Sequence, residues 1–206
     1  MIYFWYFDLG NVLLLFDHHR ACRQLAQVFH QAGAATDAEA IWQLLFASGL
    51  ERQYEMGQIS TAELYERLCS SLNARPPLEQ LLEAASDIFQ PNHSVIALAR
   101  RLHQQGHRTG VLSNTNDAHW RWVQRRFPHL PGYFQRHVLS FRAGALKPQE
   151  AIFHLAIRQA EVPAEEIFFV DDTPANVAAA RALGIDAVLY QSAEALAEEL
   201  RRRMEV

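Results

Sequence analysis

Three carboxylates in this chain stand directly after strongly apolar runs. Met1-Ile2-Tyr3-Phe4-Trp5-Tyr6-Phe7 leads into Asp8, and Ile167-Phe168-Phe169-Val170 leads into Asp171-Asp172. Short apolar and aromatic runs of this density read as strands buried on both faces, the habit of a parallel sheet. In open α/β sheets ligands bind at the carboxyl edge of the strands. The pattern therefore predicts that Asp8, Asp171 and Asp172 converge at one sheet edge. Converging carboxylates need a positive partner, and hard oxygen donors suit a divalent cation such as Mg2+.

The elements that must position these groups are legible in outline. From Asp17 to about Gln90 the pattern is helical. Apolar residues recur at helical spacing (Leu64, Leu68, Leu72; Leu78, Leu81, Leu82, Ala85), and Gly33, Gly57 and Pro76-Pro77 act as breaks. Ser60-Thr61-Ala62-Glu63 is a capping box that starts a helix. No strand pattern interrupts this stretch, which predicts a small antiparallel helical bundle. From Pro91 strands and helices alternate. Strands are expected at 109–112, 137–140, 167–170 and 187–190, with helices at 95–105, after Asn116, after Pro148, up to Gly184 and from Ser192. Such alternation implies right-handed crossovers and a parallel sheet. The strand at 2–7 has no neighbour in sequence, so it must join that sheet across the helical stretch. The expected fold is α/β: a Rossmann-like parallel-sheet core (1–16 plus 92–206) with an inserted helical cap (17–91).

Bulk properties narrow the function. The chain has 206 residues, is 50% hydrophobic and 20% charged, and carries a formal net charge of −4. That balance is globular and argues against a nucleic-acid surface. Arg201-Arg202-Arg203 ends a helical pattern, where cations complement the dipole as a solvated helix end. Cys22 and Cys69 form no framework or metal spacing, so reduced thiols in a cytoplasmic protein are expected. The first apolar run is too short to span a bilayer and lacks the marks of a signal peptide. No membrane partner is expected, and the oligomeric state is left open.

Further motifs follow the expected strands in order: Leu112-Ser113-Asn114-Thr115-Asn116, Lys147-Pro148 and Phe169-Val170-Asp171-Asp172, after an initial Phe7-Asp8-Leu9-Gly10-Asn11-Val12. Together they resemble the haloacid dehalogenase superfamily of phosphohydrolases over nearly the whole chain. The closest resemblance is to the subgroup with a helical cap, and within it to bacterial α-glucose-1-phosphate phosphatases. The resemblance implies that Asp8 is the nucleophile, attacking phosphorus to form an aspartyl-phosphate. It implies that Mg2+ is held by the Asp8 side chain, the Gly10 backbone carbonyl, and Asp171 or Asp172. It assigns the Ser113 hydroxyl and the Asn114 amide to the phosphoryl group, and Lys147 to both Asp8 and phosphate. Each residue taken alone has a plainer reading. Asp8 would cap a loop, Asp171-Asp172 would favour a helix start, Ser113-Asn114 would be ordinary loop chemistry, and Lys147 would be an exposed lysine. Thr173 and Pro174 suit the N-cap and first helical position. Pro148 holds Lys147 extended.

One position departs from the superfamily pattern. Most of its phosphatases carry a second aspartate two residues after the nucleophile, which protonates the leaving group and then activates water. Here that residue is Gly10. Losing a positioned general acid typically costs ~10²–10⁴-fold. A hexose 1-phosphate would tolerate the loss, because its hemiacetal leaving group is comparatively acidic, and the glucose-1-phosphatase resemblance carries glycine here too. A metal-independent 2-haloacid dehalogenase would also need no acid, but those relatives carry serines and an asparagine where this chain has Asp171-Asp172. A catalytically inactive binding protein would be expected to lose Asp8 or Lys147. The expected activity is therefore a Mg2+-dependent phosphatase acting on a small phosphorylated metabolite such as a sugar phosphate. The ten histidines and four tryptophans show no metal or cofactor spacing, and Asn176 is expected to satisfy loop groups around Asp171. Arg52 and Glu55 lie just before Gly57 in the insert; a structural role is the main expectation for both, and contact with a substrate the lesser one.

Overall fold

The computed structural model describes residues 1–204; the last two positions of the segment expected to complete the core lie outside the described residues. The chain opens with β1 (Phe4–Phe7) and β2 (Leu14–Leu15), then five helices: α1 (His18–Gln31), α2 (Ala38–Trp42), α3 (Leu50–Glu55), α4 (Thr61–Leu72) and α5 (Leu78–Ser86). After β3 (Gln90–Pro91) come α6 (His93–Gln104), β4 (Arg108–Ser113), α7 (Asp117–Arg126), β5 (Arg136–Leu139), α8 (Ser140–Ala143) and α9 (Glu150–Ala160). The chain closes with β6 (Ile167–Asp171), α10 (Pro174–Ala182), β7 (Asp186–Leu189) and α11 (Ala193–Met204).

Five strands form one parallel sheet in the order β5-β4-β1-β6-β7. The first strand thus lies at the centre, between strands that follow it by more than a hundred residues. Its sequence explains this. All four residues of β1 are fully buried, which only a strand covered on both faces can satisfy. Alternate side chains serve opposite layers: Trp5 and Phe7 pack with α6, α7 and α11, whereas Phe4 and Tyr6 pack with α9 and α10. Tyr6 needs room and a partner. Its hydroxyl donates to the Ala156 carbonyl at 2.9 Å, and its ring lies where a Cβ on Gly110 of β4 would be, 2.5 Å from Cε1.

The helices α1–α5 have an apolar core of their own, built from residues such as Leu25, Phe29, Ile41, Leu45, Leu64, Leu68 and Leu81. The Ser60–Glu63 capping box is present in both directions. Asn73 ends α4 in the left-handed region at φ 48°, ahead of the two prolines. No residue pattern announces β2 and β3, which pair antiparallel as Leu14 with Pro91 and Leu15 with Gln90. Both chain crossings between sheet and helices therefore run side by side. Trp5, Trp120 and Trp122 are core residues. Arg203 departs from the solvated helix end expected of it: it pairs with Asp186 and Glu199 and lies over the Phe168 ring. Cys22 and Cys69 are buried and free. No helix among the described residues is long and apolar enough to cross a membrane.

Candidate active site

Strand register brings the chemistry together. Phe7 is level with Val111 of β4 and with Val170 of β6, so the next residue on each strand emerges at the same edge. Asp8 thereby lies beside Asp171, and the Asp8 N–H donates to the Val170 carbonyl at 2.9 Å. One oxygen from each of Asp8, Asp171 and Asp172 falls within 4.8 Å of the others. Asp8 and Asp171 are buried and Asp172 is half-buried.

Lys147 arrives from the far side of β4 and is joined to Pro148 by a cis peptide. Its side chain is 1% exposed. The ammonium donates to Asp171 Oδ2 at 2.5 Å and to the Leu112 carbonyl at 3.0 Å, and stands 2.8 Å from Asp8 Oδ1. Three acceptors meet three N–H donors, so no proton of the buried charge is left over. Asn114 positions this lysine through its backbone: its Oδ1 accepts from the Lys147 N–H at 2.8 Å and its Nδ2 donates to the Lys147 carbonyl at 3.0 Å. Ser113 is buried, and among the described residues its hydroxyl meets only the Asn114 carbonyl, at 3.2 Å. The next residue, Thr115, is held at both backbone groups by the Ser140 hydroxyl, at 2.9 and 2.8 Å.

Asp171 is fully engaged. Its Oδ1 accepts from the Thr173 N–H at 2.8 Å, and Asn176 Nδ2 reaches both of its oxygens, at 3.0 and 3.2 Å. Asn176 thus binds the carboxylate itself, where the sequence suggested loop backbone groups. Thr173 and Pro174 occupy the N-cap and first-turn positions as expected, but the threonine side chain makes no cap bond. Asp172 accepts from Asn11 Nδ2 at 3.0 Å, and Asn11 is in the left-handed region at φ 55°. Asn11 had no functional reading in the sequence, although asparagine is among the few residues that tolerate this conformation. Gly10 is half-buried in the turn after β1 and bridges to Leu14. A side chain at position 10 would require the Phe16 ring to shift, because its Cβ would sit 2.7 Å from that ring.

The electrostatics suit a cation. Burial pushes the Asp8 carboxyl up, and Lys147 opposes this without cancelling it. Burial also works against the Lys147 charge, but Asp8 and Asp171 outweigh it and the ammonium ends above its ordinary range. Three carboxylates face one ammonium, a surplus of negative charge. The donor set is all hard oxygen, which fits Mg2+ or a similar dication and not a thiophilic metal. Asp8, Asp171 and Asp172 are the carboxylates close enough together to share such an ion.

A second buried polar cluster joins the helical insert to the site loop. Glu51 of α3 accepts from Asn116 Nδ2 at 2.8 Å; the same amide lies 3.1 Å from His119 Nδ1, and His119 Nε2 is 3.3 Å from the Ala85 carbonyl. Burial lowers the His119 pKa to about 4, so the ring is neutral; Nδ1 then accepts and Nε2 donates. The Tyr54 hydroxyl accepts from the Ala118 N–H at 3.0 Å. Position Gly57 closes the contact, since a Cβ there would be 2.2 Å from the Phe141 carbonyl. None of this cluster was foreseen; a charged residue in a short helix reads as exposed. A groove of about 800 Å³ lies between α4, α5 and α7, where it is lined by Thr61, Glu79, Glu83, Asp117 and Trp122, and holds none of the three aspartates.

The profile of the haloacid dehalogenase-like hydrolases matches residues 6–184. The chain belongs to this family. It is 25% identical over 190 residues to a D-ribitol-5-phosphate phosphatase of Bacteroides thetaiotaomicron, covering 87% of each chain. The fold is shared with a haloacid dehalogenase family enzyme of the same organism crystallised with magnesium and inorganic phosphate. There the TM-score is 0.81 and the identity 26%, over 93% of this chain and 95% of that one. A haloacid dehalogenase-like hydrolase of Porphyromonas gingivalis superposes with a TM-score of 0.83 at 25% identity, over 100% of this chain and 99% of the other. The family is one of hydrolases, and the parallel five-stranded sheet of this chain is its fold.

Proposed function

We propose that this protein is a Mg2+-dependent phosphomonoester hydrolase acting on a small phosphorylated sugar or sugar alcohol through an aspartyl-phosphate on Asp8. The observation that carries the reading is the convergence of Asp8, Asp171 and Asp172 within 4.8 Å around a fully buried lysine. A haloalkane would need no such surplus of acid; a phosphate dianion with a dication does. The relatives named above, a sugar-alcohol phosphatase and an enzyme bound to magnesium and phosphate, support the same chemistry.

The residues divide the work. Asp8 supplies the attacking oxygen, held in place by its neighbours on β6 and by Lys147. The Lys147 ammonium offsets charge between nucleophile and phosphoryl group. Ser113 and the Asn114 amide face the phosphoryl oxygens, while the Asn114 side chain fixes Lys147. Bound Mg2+ would supply the remaining charge neutralisation and would lower the Asp8 pKa. Electrostatic positioning of this kind provides most of the acceleration in phosphoryl transfer. The helical insert acts as a cap that covers the reacting groups and excludes water. Within the sugar phosphates, hexose 1-phosphates are the substrates that Gly10 suits unaided, because the hemiacetal oxygen departs with little protonation.

The experiment is a screen of phosphorylated sugars and polyols with purified protein, with Mg2+ and with EDTA. Mg2+-dependent phosphate release is expected, abolished by Asp8→Asn in a variant with an unchanged circular dichroism spectrum. Chloride release from 2-chloropropionate that is indifferent to EDTA would overturn the assignment.

A further inference from the structure

Position 10 lacks the acid, and the Phe16 ring fills the space in which one would stand. The proton must come from another element, and the helical insert presents one candidate. Helix α3 packs its face against the site loop: Glu51 reaches Asn116 and Tyr54 reaches Ala118. Glu55 lies four residues beyond Glu51, on the same face and one turn nearer the Gly57–Phe141 contact. That contact rests on α8, whose Ser140 grips Thr115 beside Asn114. Glu55 is half-buried and makes no hydrogen bond or ion pair among the described residues. Asp8 and Lys147 lie close enough to influence its charge, together with Glu51 and Arg52.

We propose that Glu55 is the general acid and base of this hydrolase, delivered from the insert to replace the missing carboxylate at position 10. The inference rests on the phosphatase reading above. In the first step the Asp8 oxygen bonds to phosphorus, the bond from phosphorus to the leaving oxygen breaks, and the Glu55 proton passes to that oxygen. In the second step the Glu55 carboxylate takes a proton from water as the water oxygen attacks phosphorus. Phosphate leaves, and Asp8 and protonated Glu55 are restored. Burial, with Glu51 as the next cause, raises the Glu55 pKa to about 8, so the acid form is present at neutral pH. A general acid works best with a pKa near the working pH. An acid carried by the insert is in place only while the insert covers the site, which couples proton transfer to closure.

The test is Glu55→Gln, which keeps size and removes the transferable proton. Two substrates separate the roles: p-nitrophenyl phosphate, whose leaving group needs no proton, and an alkyl phosphate such as a hexose 6-phosphate or pentitol 5-phosphate. The expected result is a nitrophenolate burst of wild-type rate followed by a slow steady state, with turnover of the alkyl phosphate reduced ~10²–10⁴-fold. The alkaline limb of the alkyl-phosphate pH profile should disappear. Calorimetric Mg2+ affinity and the urea midpoint at pH 5 should match wild type. Equal losses for the burst and for the alkyl phosphate, or no loss for either, would overturn the role of Glu55. If wild-type protein releases phosphate from neither substrate with Mg2+, the phosphatase reading itself fails.

Discussion

The buried Glu51 makes the stability of the protein depend on pH in a way that one substitution should remove. Among the described residues its carboxyl accepts one hydrogen bond, from Asn116, and it lines a void of about 30 Å³ that is mainly leucine (Leu25, Leu45, Leu64, Leu68 and Leu81) with Tyr54 and His119 beside them. Burial raises its pKa from 4.5 to about 7, with the Asn116 bond pulling the other way. A carboxyl raised on folding holds a proton that the unfolded chain has released. Its contribution is therefore fully present below about pH 4.5 and is lost as pH rises to about 7. At about 1.4 kcal/mol per pH unit, the loss across that window is about 3 kcal/mol. Glu51→Gln keeps an oxygen for Asn116 to donate to and carries no charge. It should be about 3 kcal/mol more stable than wild type at pH 8 and nearly equal at pH 4.5. The assay is urea unfolding at half-unit pH steps from 4.5 to 8, without metal. Glu55, whose pKa Glu51 helps to raise, should leave a residual slope toward pH 8. Parallel stability curves for the two proteins between pH 4.5 and 7 would show that this carboxyl is not desolvated, and the argument would fall.

Two other substitutions probe the frame around the site. Asn114→Ala removes both side-chain bonds to the Lys147 backbone; with the lysine loosened, kcat should fall about 100-fold with little change in KM, as small misplacements of reacting groups do. Steady-state kinetics beside an unchanged far-UV spectrum would check this. Gly57→Ala should lose more stability than Gly33→Ala. Both have positive φ, at 65° and 94°, but only Gly57 would place its Cβ against backbone, 2.2 Å from the Phe141 carbonyl. Strain alone costs about 1–2 kcal/mol, so the urea midpoints of the two variants should separate clearly.

The central architecture was legible because its signals are dense. Phe4–Phe7 and Ile167–Val170 are apolar without interruption, and each ends at an aspartate, so burial and strand direction together fix where those carboxylates emerge. Positions 113, 114 and 147 were found through their resemblance to a known pattern, not through periodicity. What the sequence hid is relational. The Asn114 side chain spends its hydrogen bonds on the Lys147 backbone, a contact across 33 residues that no local pattern announces. The ring of Phe16 occupying the space beside Gly10 is equally invisible before folding. Two-residue strands such as Leu14–Leu15 and Gln90–Pro91 are too short to show alternation, and proline argues against a strand unless it lies at an edge. Glu51 was missed because acidic residues are almost never fully buried unless paired, and its partner lies 65 residues away.

The pairing of Leu14-Leu15 with Gln90-Pro91 has a modular consequence. The polypeptide leaves the sheet and returns to it through a doorway two strands wide, so everything from His18 to Ser86 hangs on one antiparallel stem. The five-stranded scaffold needs only that the two ends of whatever it carries be adjacent. Exchanging that passenger for another with neighbouring termini would change what lies over the carboxyl edge of the sheet while leaving Asp8, Lys147 and Asp171 in register.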